Sequence, residues 1–333
     1  METDIKTVSQ TDGISQSLSE ESRKYANASK ASNTMRTYAS AWNDFGLFCD
    51  KCNVAPLPAS SETIVEYVTA LADAGQRVST IQTKLAAITF AHDSQGGANP
   101  AQSKQVRIVM QGIRRKLGCA AQQKSPILRN DLVKMIDALP DTLQGKRDRA
   151  ILLLGFAGAL RRSETVGLNT DDVRFGTDAM TITLRRSKTD QEGKGTTKRI
   201  PKLDDEKLCP VRALQAWLDG ACIQSGPVFR SFDRWGHART TRLTDKAIAL
   251  IIKRVATSAG LDARQFAGHS LRAGFVTQAA TDRTPEWAIA EVTGHKSRAI
   301  LQRYIRDAGL GQMSAIRRAF GEQDTTLSNE VVQ

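Results

Sequence analysis

Two short stretches hold residue types that could do chemistry together: His269-Ser-Leu-Arg272, and Gly294-His295 followed nine residues later by Tyr304. His269 and Arg272 are three apart, so a helix beginning near Gly268 sends both side chains from one face of its first turn. A helix N-terminus favours an anion through its unpaired N–H groups and the positive end of its dipole. An arginine there adds a planar fork of donors matched to two phosphate oxygens. The chemistry indicated is phosphoryl transfer. Tyr304 is then the nucleophile, weak at an unperturbed pKa of about 10 and dependent on cationic neighbours and a base. At about 100° per residue, His295 and Tyr304 would fall on opposite sides of a single helix. For both to reach one phosphate, His295 must precede the helix that carries Tyr304, and Gly294 suits such a start.

Each piece alone has an ordinary structural reading, a salt-bridged helix face for His-x-x-Arg and a core or rim position for the tyrosine. The joint order along the chain is what weighs, because an arginine box lies upstream: Gly158-Ala-Leu-Arg161-Arg-Ser-Glu164. Arg161 and Glu164 share a helix face, where the carboxylate can hold the guanidinium in place. Leu-Arg-x-x-Glu, then His-x-Leu-Arg, then Gly-His and a tyrosine nine residues on resembles the tyrosine site-specific recombinases, the phage integrase family, and within it the Cre type. The likeness extends over about residues 33 to 320, including Thr80-Ile-Gln-Thr-Lys-Leu85 and Tyr304-Ile-Arg306. Two departures are visible. His295 stands where Cre-type enzymes have Trp, as in many other members, and Ala273 replaces a His common after the second arginine.

Composition agrees with a partner that is a polyanion. The 333 residues carry a formal charge of +12, and since residues 1–30 hold −1 and residues 321–333 hold −3, the body between them holds +16. From Ala101 to Asn130 there are seven Lys or Arg and no acidic residue, Arg114-Arg115-Lys116 among them. A like-signed run of that length repels itself unless phosphates face it. The longest apolar run, Ala150 to Leu160, is too short to span a bilayer and reads as a buried helix. The N-terminus is polar and Ser/Thr-rich, unlike a secretory signal. A cytoplasmic location beside the host DNA is expected. The odd count of five cysteines argues against a disulfide framework, and Cys49-Asp-Lys-Cys52 lacks the second ligand pair of a zinc site. No His or carboxylate cluster has metal-ligand spacing, which disfavours metal-dependent nucleases and transposases.

The elements that would position these residues divide the chain. Residues 1–32 are expected to be a disordered tail, 33–121 a helical DNA-binding domain, 122–126 a linker, 127–320 the catalytic domain and 321–333 a flexible tail. In the first domain helices are signalled by Met35, Tyr38, Trp42, Phe45 and Phe48, by Ile64, Val68 and Leu71 after a Ser60 cap, by Val78 to His92, and by Val106, Val109 or Met110, Ile113 and Leu117. In the second, helices are expected over Asn130–Leu139, Gly145–Leu160, from Pro210, from Thr244, and over Gly311–Phe320. Strands are expected at Met180–Leu184 and Lys198–Leu203, with Gly226–Thr241 a connection. The fold class is mainly α with a small antiparallel β-sheet, an N-terminal helical bundle preceding an α+β catalytic domain.

The resemblance implies the rest. Arg161 and Arg272 would grip one scissile phosphate, and Tyr304 would attack to leave a 3'-phosphotyrosyl link. His269 would accept the tyrosine proton, and His295 would add a phosphate hydrogen bond. Lys188 in the strand hairpin, with Lys194 and Lys198 as neighbours on the same hairpin, would protonate the 5'-oxygen. No metal or nucleotide cofactor is implied. Thr83 and Lys84, Lys246 and, less firmly, Arg36 match DNA-contacting positions. Partners would be duplex DNA with inverted half-sites, a homodimer on one site and a homotetramer in synapsis, the last helix linking protomers through Met313, Ile316 and Phe320. A type IB topoisomerase would use the same chemistry without strand exchange, and a non-enzymatic DNA-binding protein could keep the fold alone.

Overall fold

The computed structural model describes residues 30–94, 96, 99–118, 124–185 and 195–294. Lys188, His295, Tyr304, both tails and the last helix lie outside the described residues. The chain divides into two units, Met1–Gln122 and Gln123–Gln333.

The first unit is built from α1 (Ser32–Lys51), α2 (Ser61–Asp73), α3 (Val78–Asp93) and α4 (Lys104–Leu117). Each presents an apolar stripe to one core made of Phe45, Ile64, Tyr67, Val68, Ile81, Ile88, Val106, Met110 and Ile113. Serine side chains start two of the helices, Ser60 accepting from the Thr63 N–H and Ser103 from the Val106 N–H. His92 is buried and joins helix to loop. Its Nε2 accepts the Ala59 N–H at 3.0 Å while Nδ1 lies 2.9 Å from the Ile88 carbonyl, which requires the neutral Nδ1–H tautomer. Cys49 is buried and Cys52 exposed, and both are free thiols.

The second unit centres on α6 (Leu143–Ala157), buried along most of its length and apolar from Ala150 onward, as its sequence predicts. Around it lie α5 (Arg129–Asp137), α7 (Arg162–Gly167), α8 (Pro210–Gly220), α9 (Asp245–Ser258), α10 (Ser270–Thr281) and α11 (Glu286–Thr293). A three-stranded antiparallel sheet runs in the order β1 (Val173–Phe175), β2 (Ala179–Leu184), β3 (Thr196–Pro201). Its register pairs Ile182 with Lys198 and Met180 with Ile200. The helix expected to reach Leu160 stops at Ala157, because Ala159 takes a left-handed φ of 47° and turns the chain into α7. The expected connection Gly226–Thr241 contains a hairpin, β4 (Arg230–Phe232) and β5 (Ala238–Arg242). Of the expected linker, Lys124 and Ser125 are already tied to this unit, through Nζ to the Arg264 carbonyl at 2.7 Å and the Ser125 N–H to the Gln265 carbonyl at 2.8 Å. Glycine decides how closely α10 can lie. A Cβ on Gly274 would sit 1.9 Å from the Ile127 carbonyl oxygen. Among the described residues no helix is long and apolar enough to cross a membrane.

Candidate active site

The site grows from a turn. After α6 ends, the Gly158 and Ala159 carbonyls have no helical N–H ahead of them, the usual condition of a helix C-terminus. A second helix end has the same need, for α11 stops at Thr293 with Gly294 left-handed at φ 67°. Two cations bridge these ends, Arg272 buried and Lys198 half-buried. Arg272 donates from Nη1 to the Ala159 carbonyl and from Nη2 to the Thr293 carbonyl, each at 2.6 Å. The Lys198 ammonium donates to the Gly158 carbonyl at 2.6 Å and to the Val292 carbonyl. Positive charge at two helix C-termini also meets the negative ends of their dipoles.

Arg161 follows two residues after Ala159 and caps α7. Glu164, buried in the first turn, accepts the Arg161 backbone N–H at 2.8 Å with one oxygen and Nη1 at 2.5 Å with the other. The carboxylate thus fixes both the position and the fork of this arginine. Lys198 is near enough to feel all three charged neighbours. Burial first, then Arg272 and Arg161, push its ammonium down to about 8, against an upward pull from Glu164. The two boxes, more than a hundred residues apart in sequence, therefore meet in space.

His269 and Arg272 stand three residues apart at the start of α10, with unequal exposure. His269 is the N-cap residue and is exposed, while Arg272 is only 1% exposed and points into the bridge just described. His269 keeps a right-handed backbone at φ −97°, ψ −9°, and its carbonyl accepts the Ala273 N–H at 3.0 Å. Lys188, His295 and Tyr304 lie outside the described residues. Lys198, named in the sequence as a neighbour of Lys188 on the expected hairpin, joins the site. The signal was its period-two relation to Ile200, which put it on the inward face of β3. Among the described residues no group of three or more His, Cys, Asp or Glu could hold a metal ion.

The expected DNA-contacting residues fall into two kinds. Arg36, Thr83, Arg114, Arg115, Lys116 and Lys246 are exposed. Lys246 stands in the first turn of α9, where a cation opposes the helix dipole and an external anion would relieve it. Lys84 is the exception. Its ammonium lies 2.5 Å from Asp44, which also accepts the Tyr67 hydroxyl at 2.6 Å, and these two bonds hold the Asp44 carboxyl below its ordinary range.

A site of this build, on this fold, has known counterparts. The chain belongs to the phage integrase family, whose characteristic pattern matches residues 127–309, within the second unit. It is 40% identical over 309 residues to an integrase/recombinase XerD homolog of Selenomonas ruminantium, covering 92% of this chain and 90% of that one. Its identity to the recombinase Cre of Escherichia phage P1 is lower, 25% over 293 residues, covering 82% and 84%. Among solved structures, the XerH site-specific recombinase bound to palindromic difH DNA as a post-cleavage complex matches with a TM-score of 0.63. That match has 18% identity and covers 85% of this chain and 78% of that one. The fold is that of a tyrosine recombinase, and the greater sequence likeness is to the Xer relative rather than to Cre.

Proposed function

We propose that this chain is a site-specific DNA recombinase in which Arg161 and Arg272 grip one scissile phosphate and Tyr304 attacks it. The observation that carries the reading is the meeting of the two arginine boxes at the Gly158–Ala159 turn, with Glu164 orienting Arg161. Two fixed guanidinium groups match the charge that grows on the non-bridging oxygens as the phosphorus becomes five-coordinate. Tyr304 forms the new P–O bond as the 5'-oxygen leaves. His269, exposed at the N-terminus of α10, takes the phenol proton, Lys188 returns one to the 5'-oxygen, and His295 adds a hydrogen bond to the phosphate. The phosphodiester energy is conserved in the 3'-phosphotyrosyl link, so a 5'-hydroxyl from a partner strand reverses the step and exchanges strands. The first unit, with Arg36, Thr83, Lys84 and the Arg114–Lys116 run, serves as a helical DNA-binding domain, Lys84 leaving Asp44 when it engages. Two protomers occupy inverted half-sites and two such pairs form the tetramer, in the cytoplasm where the DNA lies.

The test is an SDS-resistant protein–DNA adduct on nicked duplexes from the DNA flanking the coding region, with Tyr304→Phe beside the wild type. An adduct lost in Tyr304→Phe, and exchange between two sites, are the expected results. An adduct without exchange would make the enzyme a topoisomerase. Tight binding with no adduct from either protein would sink the enzyme reading.

A further inference from the structure

The β4–β5 hairpin was no part of the site expected from the sequence, yet it is firmly mounted on the second unit. Its root is held by two arginines. Arg147 donates from Nη1 to the Arg230 carbonyl at 3.1 Å and stacks 4.6 Å from the Phe232 ring centre. Arg242 donates to the carbonyls of Val166 and Leu168 and, at 2.6 Å, to Asn169 Oδ1. Val166 belongs to α7, the helix capped by Arg161, so the hairpin and the arginine box share one support.

The tip is equally well built. The Asp233 carboxylate accepts the backbone N–H groups of Trp235 and His237, each at 2.9 Å, and Gly236 closes the turn at φ 86°. What this rigid turn presents is Trp235, 67% exposed, with the Arg234 guanidinium stacked 4.1 Å from its ring centre. A single exposed apolar side chain is unremarkable by itself. Here, however, the aromatic face, the stacked cation and a preordered turn occur together. Between Arg230 and Lys246 there are five Arg or Lys against two Asp, and Asp233 is turned towards backbone N–H groups. Trp235 is also the one large apolar side chain exposed on the hairpin, too little for an apolar protein interface and well suited to a polyanion with flat faces.

We propose that the hairpin tip is a DNA contact, Trp235 lying against the sugar and base edges of the duplex and Arg234 beside its phosphates. This rests on the recombinase reading above. It adds a contact that specifies position relative to Arg161, because Arg242 at the hairpin root is hydrogen-bonded to the Val166 and Leu168 carbonyls at the end of α7.

The probe is a fluorescein-labelled duplex of arbitrary sequence at low salt, where phosphate contacts dominate. Trp235→Ala is expected to weaken binding roughly tenfold, Trp235→Phe less, and Arg234→Ala to lower the slope of log affinity against log salt by about one. A direct readout keeps the proposal independent of folding defects. In a Trp287→Phe background Trp235 is the remaining strongly exposed tryptophan, and added duplex should shield it from acrylamide quenching. Unchanged affinity in Trp235→Ala together with undiminished quenching would overturn the hairpin contact while leaving the recombinase reading intact. Shielding that follows protein concentration without DNA would make the tip a contact between copies and overturn it too. A wild type that binds no duplex would defeat both.

Discussion

The basic residues of the two units are put to opposite uses. On α4 of the first unit, Arg114, Arg115 and Lys116 are all exposed at a helix C-terminus, while Val106, Met110 and Ile113 face the core. In the second unit Arg147 and Arg272 are buried and Lys198 half-buried, and each donates to at least one main-chain carbonyl, Arg147 also to Asp148. The first arrangement creates a diffuse field that attracts a polyanion and is weakened by salt. The second builds geometry, since a cation fixed by several acceptors cannot wander. Net charge alone would have counted both groups alike.

That contrast can be broken most severely at Arg272. Arg272→Met should abolish adduct formation and lower unfolding free energy by about 2–4 kcal/mol in a denaturant titration, because two buried helix-end carbonyls lose their donor. Glu164→Gln keeps the shape but removes the charge that orients Arg161. Single-turnover cleavage should fall roughly tenfold to a hundredfold with little change in duplex affinity. Replacing Arg114, Arg115 and Lys116 together by Ala should do the reverse. The salt slope of duplex binding should drop by about 1 to 3, while stability stays within about 0.5 kcal/mol.

The smallest and most diagnostic effect is that of pH on Lys198. Its folded value of about 8 lies below the roughly 10.4 of an unfolded lysine, so between those limits the unfolded chain holds more protons. Stability from this group therefore rises with pH across that window. Thermal unfolding of the wild type relative to Lys198→Met should shift upward from pH 8 to 10. Adduct formation should decline over the same range in wild type, as the ammonium is lost, and hold level in Lys198→Arg. A pH profile identical in all three proteins would show that Lys198 is no more than packing.

Much of this was legible because it is local. The arginine box and His-Ser-Leu-Arg fell at a helix start, the long apolar run became α6, and Glu164 met Arg161 at the spacing that a helix turn dictates. What escaped was non-local or too short. Lys84 read as outward, yet Asp44, forty residues upstream and on another helix, takes its ammonium, a pairing that no periodicity announces. The strands β4 and β5 have three and five residues, rich in Arg and Thr without an apolar alternation, so they looked like a loop. Arg272 read as a phosphate ligand at a helix start, and its burial was not legible there, since arginine is usually exposed. Only the two helix ends that meet around it give it a reason to be buried.

The bridge across those helix ends also bears on biosynthesis. Arg161 leaves the ribosome long before Val292 and Thr293, whose carbonyls complete the setting of Lys198 and Arg272. A chain interrupted anywhere in that interval lacks the carbonyls that hold Lys198 and Arg272, and its centre is unfinished.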